Sequence, residues 1–308
     1  MKHLIWIILA VAFIQCRPDV EFNGGLQEMV RGRGVEMDGD QLDSSFLTAG
    51  DQLYMVGHQD GGFPELSRQD PQESEGIWDH PIKLMDGFAA SVYWEDESAC
   101  LIKADTFVSY PFATKHLYTS LPHGLAVQRF QFIPDRKEAL VVEYNLSNST
   151  NEDQVINFAW TGFSDLRPAA NANDGTMTDG PDRATWEEDI QVWSVVDVDN
   201  GWYLVLGSSA PQSGRSTEVV NCGYRPNGQG TAVTLEFSIK IPANSTFNLP
   251  ITIAASRFAL EEAKQTFAQV SQESSRFLRE KQMRYDSITA QRNQIPVPED
   301  HLQLALDH

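Results

Sequence analysis

Between Val233 and Ile241 five apolar residues alternate strictly with four polar ones, the period of two that marks a strand with one wet face. The same spacing puts Leu140, Val142, Tyr144 and Leu146 on one face of a second strand, and Ile156, Phe158 and Trp160 on a third. Further β-rich stretches lie near residues 52–56, 88–94, 115–121, 127–133, 190–198, 202–206 and 248–255. Turn signals such as Asp199-Asn200-Gly201 and Pro226-Asn227-Gly228 separate them. About ten strands without alternating helices predict a mainly β fold, a large antiparallel β-sandwich (a supersandwich) over residues 44–256.

The pattern changes after Ser256. Residues 258–287 contain no Gly and no Pro, and Phe267, Val270, Ser274 and Phe277 recur at spacings of three and four. This is an amphipathic helix, with a break predicted near Ser271–Ser275, and residues 257–294 form a helical linker. Ile295-Pro296-Val297-Pro298 is then a stiff extended link, because each Pro disfavours helix in the residue before it. Glu299 and Asp300 open another helix with negative charge at its positive end. Leu302, Leu304, Ala305 and Leu306 make that helix too apolar to stand alone, so residues 295–308 predict the start of an all-α domain.

At the other end, Lys2 and His3 precede eleven apolar residues, Leu4 to Ile14. These are too few to span about 30 Å of hydrocarbon at about 1.5 Å per residue, and they suit the core of a secretory signal. Cys16 follows, as the lipidated cysteine follows the signal in bacterial lipoproteins. Residues 1–16 therefore resemble a lipoprotein-type signal peptide. The expectation is an exported protein, in the periplasm or at the cell surface, held to the outer membrane by a lipid anchor. An ordinary signal peptide with an unmodified Cys16 is the alternative. Residues 17–43, rich in Gly and acids without a sustained period, read as a tether.

Composition narrows the chemistry. With 43 acids against 23 bases and a net charge of −20, the chain lacks the clustered Lys and Arg that neutralise phosphates, so nucleic acid is not an expected partner. Beyond Cys16, Cys100 and Cys222 either pair or remain isolated buried thiols. The seven histidines form no H-E-x-x-H, no G-x-S-x-G elbow is present, and no glycine pair leads a strand into a helix. No cofactor and no resident metal are expected. The acidic stretch 171–189 fails EF-hand spacing, since Gly175 at position six puts Ala170 at one and Pro181 at twelve. It reads as an acidic surface insertion, with an irregular calcium loop as the alternative. The sequons at Asn145, Asn148 and Asn244 read as polar turn residues.

The segment richest in chemistry runs from Tyr54 through the loop His58-Gln59-Asp60-Gly61-Gly62-Phe63-Pro64 to Gly76-Ile77-Trp78-Asp79-His80-Pro81-Ile82-Lys83-Leu84-Met85-Asp86-Gly87-Phe88. Sugars are recognised by such mixtures: an aromatic face stacks on the C–H side of the ring, and carboxylates, His and Lys bond the hydroxyls. Trp78 and Phe88 as core residues, with Asp79 and His80 capping a turn, is the competing reading of the same residues.

The Trp78–Phe88 stretch, with Asp105-Thr106-Phe107-Val108-Ser109-Tyr110-Pro111-Phe112-Ala113-Thr114-Lys115-His116 and the Pro-rich link at 295–298, resembles the N-terminal region of exported bacterial glycosidases with an (α/α)6 catalytic barrel. These are the relatives of glycoside hydrolase family 63 and of glycogen-debranching proteins. The resemblance covers residues 52–308 and implies an N-terminal β-sandwich joined by linker helices to a barrel whose first helix is 295–308. It implies an oligosaccharide or polysaccharide, α-glucan or a related glycan, as substrate, and the chain's own C-terminal catalytic domain as partner. In such enzymes the acid and base lie in barrel loops, so no catalytic residue is expected in this chain. The sandwich can lend a loop to the rim of the active site, and the resemblance gives that substrate-binding role to Trp78, Asp79, His80, Lys83 and Asp86. A stand-alone carbohydrate-binding lipoprotein without enzymatic activity is the alternative.

Overall fold

The computed structural model describes residues 24–32, 34–64, 66, 74–169, 177–219, 222–291, 297–299 and 302–303. The signal peptide with Cys16, residues 171–176 of the acidic stretch, and most of the terminal helix lie outside them. In chain order the strands are β1 (Val35–Asp38), β2 (Ser45–Ala49), β3 (Tyr54–His58), β4 (Gly76–Asp79), β5 (Ile82–Tyr93), β6 (Ser98–Cys100), β7 (Thr106–Tyr110), β8 (Ala113–Tyr118) and β9 (Leu125–Phe132). They continue with β10 (Ala139–Asn148), β11 (Gln154–Pro168), β12 (Asp182–Glu187), β13 (Val192–Asp197), β14 (Tyr203–Gly207), β15 (Gly214–Ser216), β16 (Ala232–Ile241) and β17 (Ser245–Ser256). The helix α1 (Leu260–Gln291) follows.

The strands form two antiparallel sheets. One has nine strands in the order β1-β7-β8-β9-β10-β17-β14-β13-β12, and the other has eight, β15-β16-β11-β5-β4-β3-β2 with β6 beside β5. The fold is the mainly β, antiparallel sandwich that the alternation predicts. Along β16, Val233, Leu235, Phe237, Ile239 and Ile241 are buried while Glu236, Ser238 and Lys240 face water. In contrast β9 and β10 are buried from end to end. Their reason is a third layer. Leu140, Val142, Tyr144 and Leu146 point into the core between the sheets, whereas Phe130, Phe132, Ala139 and Val141 point outward against α1.

Phe267, Val270, Phe277 and Leu278 are the helix's buried side of that second core, each contributing about 1.5–3 kcal/mol as an upper value. Inside the predicted break, Glu273 leaves helical geometry (φ −118°, ψ 20°). Beyond it, buried Lys281 donates to Asp135 Oδ1 at 2.7 Å and to Ala49 O at 2.8 Å, which pins the second half of α1 to the sandwich. None of the helices among the described residues is long and apolar enough to cross a membrane.

Three local readings change. Within the expected tether, Leu26 is buried, its N–H donates to Glu143 Oε1 at 2.7 Å, and β1 pairs with β7. Backbone pairing at a sheet edge orders this segment despite its polar composition. In the expected acidic insertion, β12 forms the outer strand beside β13, with Trp186 packed on Trp193 at 5.4 Å between ring centroids. Of the sequon residues, Asn244 sits in the turn before β17 with φ 51°, but Asn145 and Asn148 are buried strand residues. Asn145 donates to Asn248 Oδ1 at 2.5 Å and accepts from Gln128 at 2.9 Å, because a buried amide must find its partners inside the fold. Cys100 and Cys222 are joined as a disulfide, with Cα atoms 5.7 Å apart and a separation of 122 positions in sequence.

Candidate functional site

β4 and β5 meet at the turn His80-Pro81, whose peptide bond is cis. Trp78 stands opposite Lys83, and Asp79 opposite Ile82. The five predicted residues are therefore brought together, but in two layers. His80 is exposed, whereas Trp78 is 6% exposed, Asp79 3%, Lys83 1% and Asp86 2%.

The outer layer is a stack of rings. Tyr54 on β3 pairs with Trp78, and their rings lie 6.3 Å apart and 8° from parallel. Trp78 and His80 are 6.1 Å apart at 22°, and Tyr54 Oη lies 2.8 Å from His80 Nε2. The cations Lys83 and Arg167 stand 5.3 and 5.8 Å from the Trp78 ring centroid, and its Nε1–H donates to Ser74 O at 3.1 Å. The faces of Trp78 are thus occupied by the protein itself. The accessible ring is His80.

The inner layer depends on irregular pairing. The register shifts between Ile77 and Trp78 against β5, and on β11 between Phe163, Ser164 and Arg167. Bulges of this kind re-aim side chains, and here they turn Asp86 and Asp165 toward one lysine. Lys83 Nζ is 2.6 Å from Asp86 Oδ1 and 3.9 Å from Asp165 Oδ2, and Arg167 Nε donates to Asp165 Oδ2 at 2.6 Å. Burial, reinforced by the Asp165 charge and opposed by Lys83, pushes the Asp86 carboxyl up to about 6. Burial also raises Asp165, against the pull of Arg167 and Lys83. Two carboxylates and two cations share the site, and the deeper acid holds a proton at mildly acidic pH.

A rim adjoins this knot where β17 hands the chain to α1. Arg257 donates from Nη1 to His80 O at 3.2 Å, and its Nε lies 3.5 Å from Asp79 Oδ2. Burial raises Asp79, opposed by Arg257 and His80. Half-buried Glu138, just before β10, is pushed up to about 7 by burial and by the charges of Asp79 and Glu262, against Arg257. Glu262 accepts from Ser256 Oγ at 2.9 Å. The rim can therefore exchange a proton near neutrality and offer donors from His80 and Arg257.

His58 and Asp60 of the same sequence segment belong elsewhere, in a loop beneath which Arg129 is buried. Asp165, Arg167, Glu138 and Arg257 are members that sequence reasoning missed. The polar pair Asp165 and Arg167 interrupting an otherwise apolar strand was the available signal, as was Arg257 at the switch from strand to helix period. Among the described residues no group of three or more His, Cys, Asp or Glu is arranged to hold a metal ion.

No family model matches the sequence, and no curated protein matches it. Among solved structures, the chain is similar to one described as "Putative kojibiose phosphorylase from human microbiome", with a TM-score of 0.57 at 9% identity. The match covers 89% of this chain and 40% of that one. The likeness therefore concerns a sandwich-type fold that occupies part of a larger protein, and the chain spans less than half of that structure's length. A "Putative aldose 1-epimerase" from Escherichia coli K12 gives a TM-score of 0.44 at 10% identity, covering 69% of this chain and 99% of that one. An aldose epimerase homologue from C. elegans gives 0.40 at 8% identity, covering 69% and 98%. The likeness to the phosphorylase structure concerns the fold alone.

Proposed function

We propose that the chain is the N-terminal, non-catalytic β-sandwich of an exported glycoside hydrolase acting on α-glucan or related oligosaccharides, and that it shapes the active site of a catalytic domain C-terminal to it. The observation that carries this reading is the likeness to the phosphorylase structure. At 89% of the chain, it reaches beyond the strands into the region of α1, the same sandwich-then-helix order that the sequence resemblance implies. The acid and base of glycoside hydrolysis then come from the catalytic domain, with this chain contributing the β4–β5 turn to its rim. In that role His80 meets the sugar, Arg257 and Asp79 fix the turn, and Trp78 with the Lys83–Asp86 pair positions His80 from beneath. A lipid anchor at Cys16 would hold the enzyme at the outer membrane, where extracellular glycan arrives.

The test is His80→Ala in the protein carrying its catalytic domain, assayed on maltooligosaccharides. A KM raised about tenfold with little change in kcat is expected, the effect of losing one polar sugar contact. Unchanged KM and kcat would remove His80 and the turn from the rim. Glucan binding by a protein that turns over no glycoside in any form would favour the stand-alone binding lipoprotein.

A further inference from the structure

Arg129 lies between the two sheets with 2% of its surface exposed. It is flanked in register by His116 on β8 and Tyr144 on β10, a row of inward-facing polar side chains across three strands. The opposite sheet faces this row with Phe88, whose ring centroid is 5.3 Å from the guanidinium carbon, and with Trp160, 5.6 Å from Phe88. Nη1 donates to Gly61 O at 2.8 Å and Nη2 to the His116 ring at 3.2 Å. His116 is neutral, held well below the usual histidine range by burial and by Arg129, and its Nε2–H donates onward to His58 O at 3.3 Å.

No carboxylate lies within ion-pairing distance of Arg129 among the described residues, although the chain carries 20 more acids than bases. Of the acids in this neighbourhood, Asp60 is part-exposed and lies 2.8 Å from both His58 Nδ1 and Gly62 N, and buried Glu75 acts, as Arg129 does, on Tyr224. Four buried polar atoms in this neighbourhood find no hydrogen-bond partner at close range, Arg129 Nε, Tyr118 Oη, Tyr144 Oη and Trp160 Nε1, although Trp160 and Arg129 both converge on the Tyr144 hydroxyl. All four carry a hydrogen to donate. With the Tyr144 oxygen facing Trp160 and Arg129, the two phenols retain hydrogens of their own to donate, so hydrogens outnumber acceptors around a buried positive charge. Such a charge without compensation is strongly disfavoured.

We propose that this donor-lined site between the sheets binds a small monovalent anion of the halide class. The anion neutralises Arg129 and accepts from the orphaned N–H and O–H groups. Because Arg129 also holds Gly61 O, occupancy fixes the loop His58–Phe63 over the end of the site. The loop's geometry is already fitted to it: Gly61 has φ +91°, and a Cβ there would come 2.1 Å from Tyr118 Oη.

The decisive experiment is a crystal of the full chain soaked in sodium bromide, with data collected at the bromine edge. An anomalous peak within hydrogen-bonding distance of Arg129 Nε is expected. An ordinary water there, with no anomalous signal, would overturn the proposal. In parallel, the melting temperature is followed against potassium chloride at constant ionic strength, with potassium glutamate as the balancing salt. A saturable rise is expected for the wild type. In Tyr118→Phe, which removes one donor and keeps the ring, and in Trp160→Phe, which removes one donor and leaves a smaller aromatic ring in the core, its midpoint shifts to about tenfold or higher chloride. A melting temperature indifferent to chloride, or a rise unaltered in both variants, would count against the site.

Discussion

Two buried cations, Lys83 and Arg129, occupy the same sandwich and are equally sealed from water, at 1% and 2% exposure. Lys83 lies at the bulged end of β5 with carboxylates at 2.6 and 3.9 Å. Arg129 lies in regular pairing between β8 and β10 with a carbonyl, a neutral imidazole and aromatic rings. The difference teaches where each charge finds its counterweight. Irregular strands can turn Asp86 and Asp165 inward to meet a lysine, but the regular row around Arg129 offers a neutral imidazole, hydroxyls and π-faces, with no carboxylate among the described residues. The first site is closed by the protein's own residues, and the second calls for a small anion.

The sharpest way to break the comparison is to remove each cation. Among the described residues, Lys83→Met leaves Asp86 and Asp165 buried with Arg167 as their remaining cation, so it is expected to cost about 3–5 kcal/mol at pH 8. At pH 5 the cost is smaller, since Asp86 can then take up a proton. Arg129→Met strands no carboxylate and is expected to cost less than Lys83→Met at pH 8. Urea denaturation of both variants at the two pH values measures this, and equal costs would mean that Arg129 has a carboxylate counterion after all.

A second test uses the raised Asp86. A carboxyl with a folded value of about 6 against an unfolded value of 3.8 stabilises the fold below about pH 4, and that contribution is lost as pH rises through 6. The loss amounts to at most about 3 kcal/mol, and Asp86→Asn should flatten the stability profile between pH 4 and 6. A profile as steep as the wild type's would assign the titration elsewhere, with Glu138, pushed up to about 7, the next group to replace.

The smallest effect belongs to the loop over Arg129. Gly61→Ala imposes a left-handed backbone on alanine and presses on Tyr118, and an unfolding cost of about 1–2 kcal/mol is expected. Thermal melts of this variant with and without chloride also separate backbone strain from loss of the anion. Strain alone lowers both curves equally.

Much of the scaffold was legible in the chain. The alternation in Val233–Ile241 and the three-and-four spacing of Phe267, Val270 and Phe277 report strand and helix because both periods are local. The helix break was readable as well, and Glu273 falls within it. The candidate site was readable only as a neighbourhood. Trp78, Asp79, His80, Lys83 and Asp86 do lie together, but residue type could not say that Trp78 would be covered and His80 open. Short segments such as β1 and β12 carry too few residues for a period to emerge, and only pairing with β7 and β13 orders them.

By itself, then, the sequence determined the antiparallel β layers, the long helix after Ser256 and the concentration of chemistry around the β4–β5 turn. Tertiary structure alone decided which charges are compensated. Asp165 reaches Lys83 through bulges in two neighbouring strands, Arg257 reaches Asp79 from the sandwich's last turn, and Arg129 meets no acid among the described residues. Those outcomes depend on register between distant strands, which is fixed by the packing of whole sheets and leaves no trace in the order of neighbouring residues.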